Sequence, residues 1–296
     1  MKNYVIIGDS TCDLNREIRQ KYDIEYLKMN FVIDGIEYSA SLDWEQLSPR
    51  AFYDMMRGGA VIKTTQVPRN EFVDVFTYWL KQGVDILYIS CSSGLSGSVG
   101  LANIVSAELK EEYPDAKILC VDSLISSLGQ GYLLMQASKL RAEGKSIEET
   151  AGWLEENRLK VNQCGTVESL EYLRRAGRVK TASAFFGNIF GVKPLIISDV
   201  KGSNYAYRKV KGASNARKEM ALDTVNAAEN IEDSVLYISH ADDIENAYKL
   251  RDEVLALGKF KEVYIDYIGP IVGASVGPGT LITYVYGKKV TIEGKE

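Results

Sequence analysis

The sequence predicts an α/β protein of two domains, in which a mainly parallel sheet domain precedes a mixed-sheet domain. In the first half, short apolar runs alternate with segments of helical periodicity, which is the pattern of a parallel sheet flanked by helices. After about residue 160, strand-like runs become more frequent and some alternate polar with apolar residues. We therefore divide the 296 residues into domains 1–160 and 161–296, packed firmly because no Gly/Ser-rich linker separates them.

Turn and cap residues mark the early elements of the first domain. We expect residues 31–38 to form a hairpin, because Asp34 and Gly35 suit a two-residue primed turn between short apolar runs. Ser48 followed by Pro49 is typical of a helix start, since the serine can cap the helix and proline fits its first position.

Apolar periodicity places the other elements of the first domain. An apolar run bounded by turn residues predicts a buried strand, and apolar residues every three or four positions predict a helix. Strands are predicted over residues 4–8, 85–90 and 117–122, and helices over residues 72–80, 98–113 and 129–143. A short helix is expected after the first strand, and a capping box at Ser146 and Glu149 opens one more helix.

The second domain reads as strands with fewer helices between them. Strands are predicted over residues 163–167, 193–198, 205–210, 235–239, 263–267 and 281–286, and helices over residues 214–226 and 244–257. Residues 269–279 are rich in Gly and Pro, so we expect a rigid, non-helical connection there.

The charge balance argues against a nucleic-acid partner. Lys+Arg 35 against Asp+Glu 40 gives a net charge of −5, and no basic stripe is present. An anionic membrane surface is disfavoured for the same reason, so only transient membrane contact is expected. The apolar stretch near the start is too short for a signal peptide, and no run approaches the roughly 20 apolar residues of a spanning helix.

The cysteines predict neither disulfides nor a metal site. Cys12, Cys91, Cys120 and Cys164 lie far apart, form no C-x-x-C pair and have no histidine nearby. A disulfide framework would be denser, so we expect reduced thiols and a cytoplasmic location.

Three loops rich in small and hydroxylated residues are expected at strand ends, at residues 9–11, 63–66 and 92–98. Ligands of open α/β sheets bind beyond the carboxyl ends of strands. The glycines of the third loop let backbone N–H groups approach a ligand, and the next helix N-terminus favours an anion. Each loop alone could be a turn or a cap, but three together favour a site.

A serine hydrolase using Ser96 and His240 is the alternative enzyme. The nucleophile motif G-x-S-x-G is broken, because Gly97 directly follows Ser96. His240 is the one histidine of the chain and is more typical of a hydrogen-bonded structural residue. Walker and dinucleotide-binding motifs are also absent from the sequence.

Short segments along nearly the whole chain resemble those of one family in order and spacing. They are residues 8–14 (GDSTCDL), 64–66 (TTQ), 92–98 (SSGLSGS), 122–123 (DS), 170–179 (LEYLRRAGRV), 193–194 (KP), 239–240 (SH) and 269–279. Together they resemble the DegV family of bacterial fatty-acid-binding proteins.

This resemblance implies a two-domain DegV-like α/β fold that holds one long-chain fatty acid in an apolar tunnel between the domains. Burying about 16 carbons could contribute on the order of 10 kcal/mol before entropic costs. The expected carboxylate ligands are Thr64, Ser96, Gly97 and Ser275, with Thr65, Ser93 and Ser10 as second-layer candidates. The fatty acid is the ligand, and no cofactor, metal or catalytic residue is expected.

The resemblance also implies a partner. Relatives carry the acyl chain for a separate fatty-acid kinase that feeds phospholipid metabolism, and this chain has no ATP-binding motif of its own. Arg178 is expected to flank the tunnel mouth and dock an acidic partner surface, although a basic helix end could also be purely structural. A regulatory protein with a structural lipid is the remaining alternative.

Three segments of the chain depart from the family pattern. The family's G-T-H-x-G-P-G loop has Ala274 and Ser275 in place of Thr and His. Val67-Pro68 replaces Pro-Ser, and Ala176 replaces the first Gly of the G-G-R stretch. The lost histidine puts phosphotransfer, or the choice of head group, in question.

Overall fold

Two sheets of different character organise the chain in the computed structural model, which describes residues 4–180 and 191–295. The strands in chain order are β1 (Tyr4–Asp9), β2 (Ile24–Leu27), β3 (Asn30–Ile33), β4 (Ile36–Ser39), β5 (Ile62–Thr64), β6 (Asp85–Ser90), β7 (Ile118–Asp122), β8 (Val161–Thr166), β9 (Val192–Ser198), β10 (Asn204–Lys211), β11 (Val235–His240), β12 (Glu262–Tyr267) and β13 (Leu281–Tyr286). The helices are α1 (Arg16–Tyr22), α2 (Pro49–Arg57), α3 (Arg69–Leu80), α4 (Ser98–Glu112), α5 (Ser127–Ala142), α6 (Ile147–Asn157), α7 (Leu170–Ala176), α8 (Ala213–Ala227), α9 (Ile244–Leu255) and α10 (Pro270–Val276).

The first sheet has the order β2-β1-β6-β7, and each of its neighbouring pairs is parallel. Its central strand β1 is buried along its whole length, as its apolar run predicts. The six-stranded sheet β10-β9-β8-β13-β11-β12 combines antiparallel pairs with one parallel pair, β11 and β12. The predicted fold class is therefore confirmed.

The local signals in the first domain are also confirmed. Ile33 pairs with Ile36, and the intervening Asp34 and Gly35 have φ of 50° and 81°, as a primed two-residue turn requires. The hydroxyl of Ser48 caps α2, and α6 opens with the expected capping box. The hairpin joins β5 in a small sheet of order β4-β3-β5.

The prediction that residues 269–279 contain no helix is wrong, because α10 spans Pro270–Val276. Pro270 fills the first helical position, where its missing N–H is not needed. Gly273 lies inside the helix. Glycine is required at this position, because a Cβ there would stand only 2.4 Å from Tyr53 Oη. Gly277 ends the helix with a φ of 80°. The Gly and Pro residues of this segment therefore allow a short, tightly packed helix and do not prevent one.

The apolar core is continuous between the two sheets. One buried cluster joins the parallel sheet to α10 and to residues of the mixed sheet such as Ile196 and Ile282. A second cluster fills the other face of the mixed sheet under α8 and α9. The sheets are built from residues on either side of position 160, and the division into two domains at that position stays a prediction.

Candidate functional site

A cavity of about 140 Å³ lies where the loops after β1, β5 and β6 meet α10. Its lining residues are Thr11, Met29, Thr64, Thr65, Gln66, Cys91, Leu95, Ser96, Gly97, Ser126, Arg178, Asn204, Ile271, Val272, Ser275 and Val276. We call it the inner cavity. It brings together all four predicted carboxylate ligands, which the sequence separates by more than 200 positions.

Two hydroxyls in the inner cavity have no hydrogen-bond partner within residues 4–180 and 191–295. Thr64 ends the short strand β5, and Ser275 lies on α10; both side chains are half-buried. No group of the described chain is bonded to either hydroxyl, so each can donate to or accept from a ligand.

Ser96 and Gly97 form the turn that starts α4. Ser96 Oγ lies 2.9 Å from Ser98 Oγ and accepts from the Ser98 N–H at 3.3 Å. Ser98 Oγ in turn accepts from the Val67 N–H at 3.2 Å, which ties this turn to the loop after β5. A larger residue does not fit at position 97, because a Cβ there would lie 2.3 Å from Gln66 Oε1. Gly97 at the start of α4 lines the inner cavity, and N–H groups at a helix start favour an anion.

Asp9 holds the loops after β1 and β6 in place. One carboxylate oxygen accepts from the Thr11 N–H at 3.0 Å, and the other accepts from Tyr88 OH and from the Cys91 N–H, both at 2.9 Å. Burial raises the pKa of Tyr88 well above its usual value, so the phenol stays a donor. Burial likewise raises the pKa of the Cys91 thiol, which keeps it neutral.

The second-layer candidates are placed differently from one another. Thr65 lines the inner cavity, and its hydroxyl donates to the Asn30 carbonyl at 3.3 Å. Ser10 is fully buried outside the lining, where its hydroxyl donates to the Ala40 carbonyl at 2.7 Å. Ser93 is exposed and also outside the lining.

Arg178 lies at the edge of the site. Its Nε donates to the Leu95 carbonyl at 3.2 Å, and its Nη1 donates to the Ala176 carbonyl at 2.6 Å. The exposed guanidinium has no carboxylate partner among the described residues and lines the inner cavity. It therefore brings an uncompensated positive charge to the place where an anion would bind.

Two further cavities adjoin the inner one. An outer cavity of about 470 Å³ shares Thr64, Arg178 and Ser275 with it and adds Lys63 and Arg175. A deep cavity of about 20 Å³ shares four residues with it: Ser126, Asn204, Val272 and Val276. The other residues lining the deep cavity include the apolar side chains of Val167 after β8, Leu173 of α7, and Ile196 and Ile282 of the mixed sheet.

The structure does not pair Ser96 with His240. The histidine is buried outside the inner cavity, its ring lies 4.4 Å from that of Tyr267, and its Nδ1 accepts from the Asp243 N–H at 3.2 Å. Burial lowers the pKa of His240, which favours the neutral ring. This geometry gives the hydrolase alternative no base beside its serine.

The polar residues of these cavities that sequence reasoning missed include Ser126, Gln163 and Asn204. Ser126 follows β7, so the rule that ligands lie beyond strand ends could have found it. Gln163 and Asn204 lie on strands of the mixed sheet and carry no local motif.

Two kinds of feature are absent from the described residues. No helix among them is long and apolar enough to span a membrane. No group of three or more His, Cys, Asp or Glu side chains in that part of the chain is arranged to hold a metal ion.

A family model described as "Uncharacterised protein, DegV family" matches residues 3–287. The chain belongs to the DegV family. A DegV domain-containing protein of Clostridium perfringens is 37% identical over 97% of this chain and 98% of its own length. The sequence resemblance to this family is therefore confirmed.

Solved DegV structures share the fold. A DegV family protein from Thermus thermophilus, described as fatty acid binding, is 28% identical and has a TM-score of 0.86 over 97% of this chain and 100% of that one. The fatty acid binding protein DegV from Bacillus subtilis is 25% identical and has a TM-score of 0.83 over the same shares.

Proposed function

We propose that this protein binds one long-chain fatty acid, with the carboxylate held by Thr64, Ser96 and the Gly97 backbone and with Ser275 beside them. The observation that carries the proposal is the inner cavity, where these groups meet at the start of α4. Hydroxyl and N–H donors are the partners an ionised carboxylate needs, and bonds to a charged acceptor are the stronger ones. The fatty-acid-binding relatives support the same ligand.

The acyl chain is proposed to run from the inner cavity into the deep cavity, between domains 1–160 and 161–296. The deep cavity is lined by apolar side chains such as Leu173 and Ile282, which suit methylene groups. Its 20 Å³ has space for about one water-sized group, so these side chains must move apart to admit the chain.

We further propose that the protein carries its fatty acid to a separate kinase in the cytoplasm and is not itself an enzyme. The outer cavity adjoins the carboxylate groups through Thr64 and Ser275 and leaves space for a phosphate donor. In the kinase reaction a carboxylate oxygen bonds to the γ-phosphorus of ATP as the bond to ADP breaks. Ser275 stands where the family has histidine, and its hydroxyl takes the role of a neutral donor.

Lipid extraction tests the binding. Protein purified from bacteria is denatured and extracted with solvent, and the extract is quantified by mass spectrometry. We expect about one fatty acid per chain. A protein that contains no acyl lipid and binds none of a panel of added fatty acids would refute the proposal.

The carrier role needs its own test. The loaded protein is mixed with a bacterial fatty-acid kinase and ATP, and acyl phosphate is trapped with hydroxylamine as the hydroxamate. We expect hydroxamate in proportion to bound lipid. Bound lipid that gives no hydroxamate with any kinase tested would leave a regulatory protein with a structural lipid as the better interpretation.

A further inference from the structure

One hydroxyl beside the proposed acyl path, that of Ser126, makes no hydrogen bond within the described residues. Ser126 precedes α5, is only 6% exposed, and lines both the inner and the deep cavity. It stands at the junction of the two, beyond the proposed carboxylate groups.

The position of Ser126 makes its free hydroxyl unusual. Serine before a helix ordinarily accepts a hydrogen bond from a first-turn N–H, yet Ser126 makes no side-chain cap bond to α5. Its hydroxyl has no hydrogen-bond partner anywhere in residues 4–180 and 191–295. Because this unpaired hydroxyl lines both cavities, a ligand group that pairs with it there gains a hydrogen bond and hence affinity.

Two carboxamide side chains, those of Gln163 and Asn204, line the same deep cavity. Asn204 Nδ2 donates to the Arg178 carbonyl at 3.2 Å, which fixes Asn204 Oδ1 as an acceptor. Gln163 Nε2 donates to that oxygen at 3.1 Å. The orientation of Gln163 is thereby set, and its Oε1 has no partner in the described part of the chain.

We propose that Ser126 and Gln163 select an acyl chain that carries a hydroxyl group, an inference that rests on the proposed function. A hydroxyl can donate to Gln163 Oε1 while it accepts from Ser126 Oγ, so both protein groups are paired at once. A methylene at the same place leaves both unpaired. Sites built to bind a hydroxyl discriminate against analogues that lack it.

The test compares stearic acid with hydroxystearic acids whose hydroxyl lies at successive positions along the chain. Affinities are measured by calorimetry on delipidated, full-length protein. We expect one positional isomer to bind roughly 3–10-fold tighter than stearic acid, which is the effect of one or two well-placed hydrogen bonds. Ser126→Ala should bring that ratio to about one.

Controls separate recognition from general damage. Ser106 is a buried serine of α4 whose hydroxyl donates to the Ala102 carbonyl, away from the cavities. Ser106→Ala should keep the wild-type ratio. Gln163→Met, which keeps the length and removes the acceptor, should lower the ratio as Ser126→Ala does.

The outcomes distinguish this inference from the function it rests on. Stearic acid binding with no isomer preferred overturns the inference and leaves the proposed function standing. A preference that persists in both Ser126→Ala and Gln163→Met also overturns it. Failure of every acid to bind overturns both.

Discussion

At the residue scale, the proposed head-group site uses neutral donors in place of an ion pair. The inner cavity is lined by the side chains of Thr64 and Ser275 and by Gly97 at the start of α4. The positively charged Arg178 is exposed at its edge. Such a site can hold a carboxylate without enclosing it, which suits the proposed transfer of a phosphoryl group to one of its oxygens.

Removing the proposed carboxylate donors should weaken binding. Thr64→Val and Ser96→Ala should each lower the affinity for a fatty acid by about 1–3 kcal/mol, because an ionised oxygen loses a partner. The two effects should be non-additive, since both groups act on one carboxylate. Calorimetric titration of both single variants and the double variant measures this, with Ser106→Ala as control. Wild-type affinity in both single variants would place the head group elsewhere.

Asp13 is a buried carboxyl group that makes the stability of the protein depend on pH. It is 4% exposed, and no hydrogen bond of good geometry reaches either carboxylate oxygen from the described chain. Burial raises its pKa well above the usual value. The folded state therefore holds this proton more tightly than the unfolded state. The contribution of Asp13 to stability falls as pH rises from about 4 towards the raised pKa, by up to about 1.4 kcal/mol per pH unit.

Asp13→Asn should remove this pH dependence. Asparagine tolerates the φ of 51° at this position. Chemical denaturation at several pH values should show the variant gaining stability relative to wild type as pH rises from about 5 to 8. A difference that stays flat with pH would show that Asp13 is ionised in the folded protein.

Asp43 is a control of opposite sign. Burial acts to raise its pKa, but hydrogen bonds from Arg16 and Arg19 outweigh burial and the pKa is lowered. Asp43→Asn should therefore destabilise the protein at neutral pH. That loss should disappear as pH falls below about 4 through the lowered pKa.

At the element scale, α10 links the core to the site. Its residues Val272, Ser275 and Val276 line the inner cavity, and Gly273 packs on Tyr53, whose hydroxyl donates to the Ile268 carbonyl at 2.6 Å. A methyl group on Gly273 would displace either the helix or this tyrosine. The position of the cavity wall therefore depends on one missing side chain.

Gly273→Ala should thus lower both the melting temperature and fatty-acid affinity. Gly100 is the matched control, because it lies inside α4 and a Cβ added there would meet only open space. Gly100→Ala should stabilise the protein by about 0.5–1 kcal/mol, as alanine does in a helix interior. Equal effects of the two substitutions on melting temperature and lipid binding would contradict the role given to Gly273.

Elements set by local signals were predictable from the sequence. The Asp34-Gly35 hairpin, the cap of α2 and the capping box of α6 each depend on residues within four positions of one another. The strand β2 and the helix α10 were not predicted. Their stability comes from pairing with β1 and from packing on Tyr53, which no local pattern records.

At the scale of the whole molecule, the site was predictable only where loops at strand ends form it. The loops that carry Thr64 and Ser96 were indicated by their position at strand ends, whereas the role of both residues as carboxylate ligands came from the family resemblance. Ser126 and Gln163 line one cavity because the two sheets pack together. One such contact is the Ser92 hydroxyl, which donates to the Gly202 carbonyl at 2.7 Å across 110 positions. Contacts of this length follow from tertiary packing and not from periodicity.

The charge distribution leads to the final prediction. The chain has a net charge of −5, yet Lys63, Arg175 and Arg178 all line the outer cavity. A local basic cluster on an acidic protein orients an acidic partner at that face, and its effect is screened by salt within about 10 Å at 0.1 M. This cluster is therefore the proposed docking surface for the kinase.

Arg178→Glu should slow acyl-phosphate formation by about tenfold at low salt, because rim charges act mainly on association rate. The defect should shrink at high salt. Arg174→Glu is the matched control, since Arg174 is exposed on α7, pairs with Glu171 and lines neither cavity. The hydroxamate assay gives the rates, and mass spectrometry gives the lipid content. Loss of lipid in Arg178→Glu would make Arg178 a ligand of the carboxylate. Unchanged rates would instead make it a structural residue that follows α7 and donates a hydrogen bond to the Leu95 carbonyl.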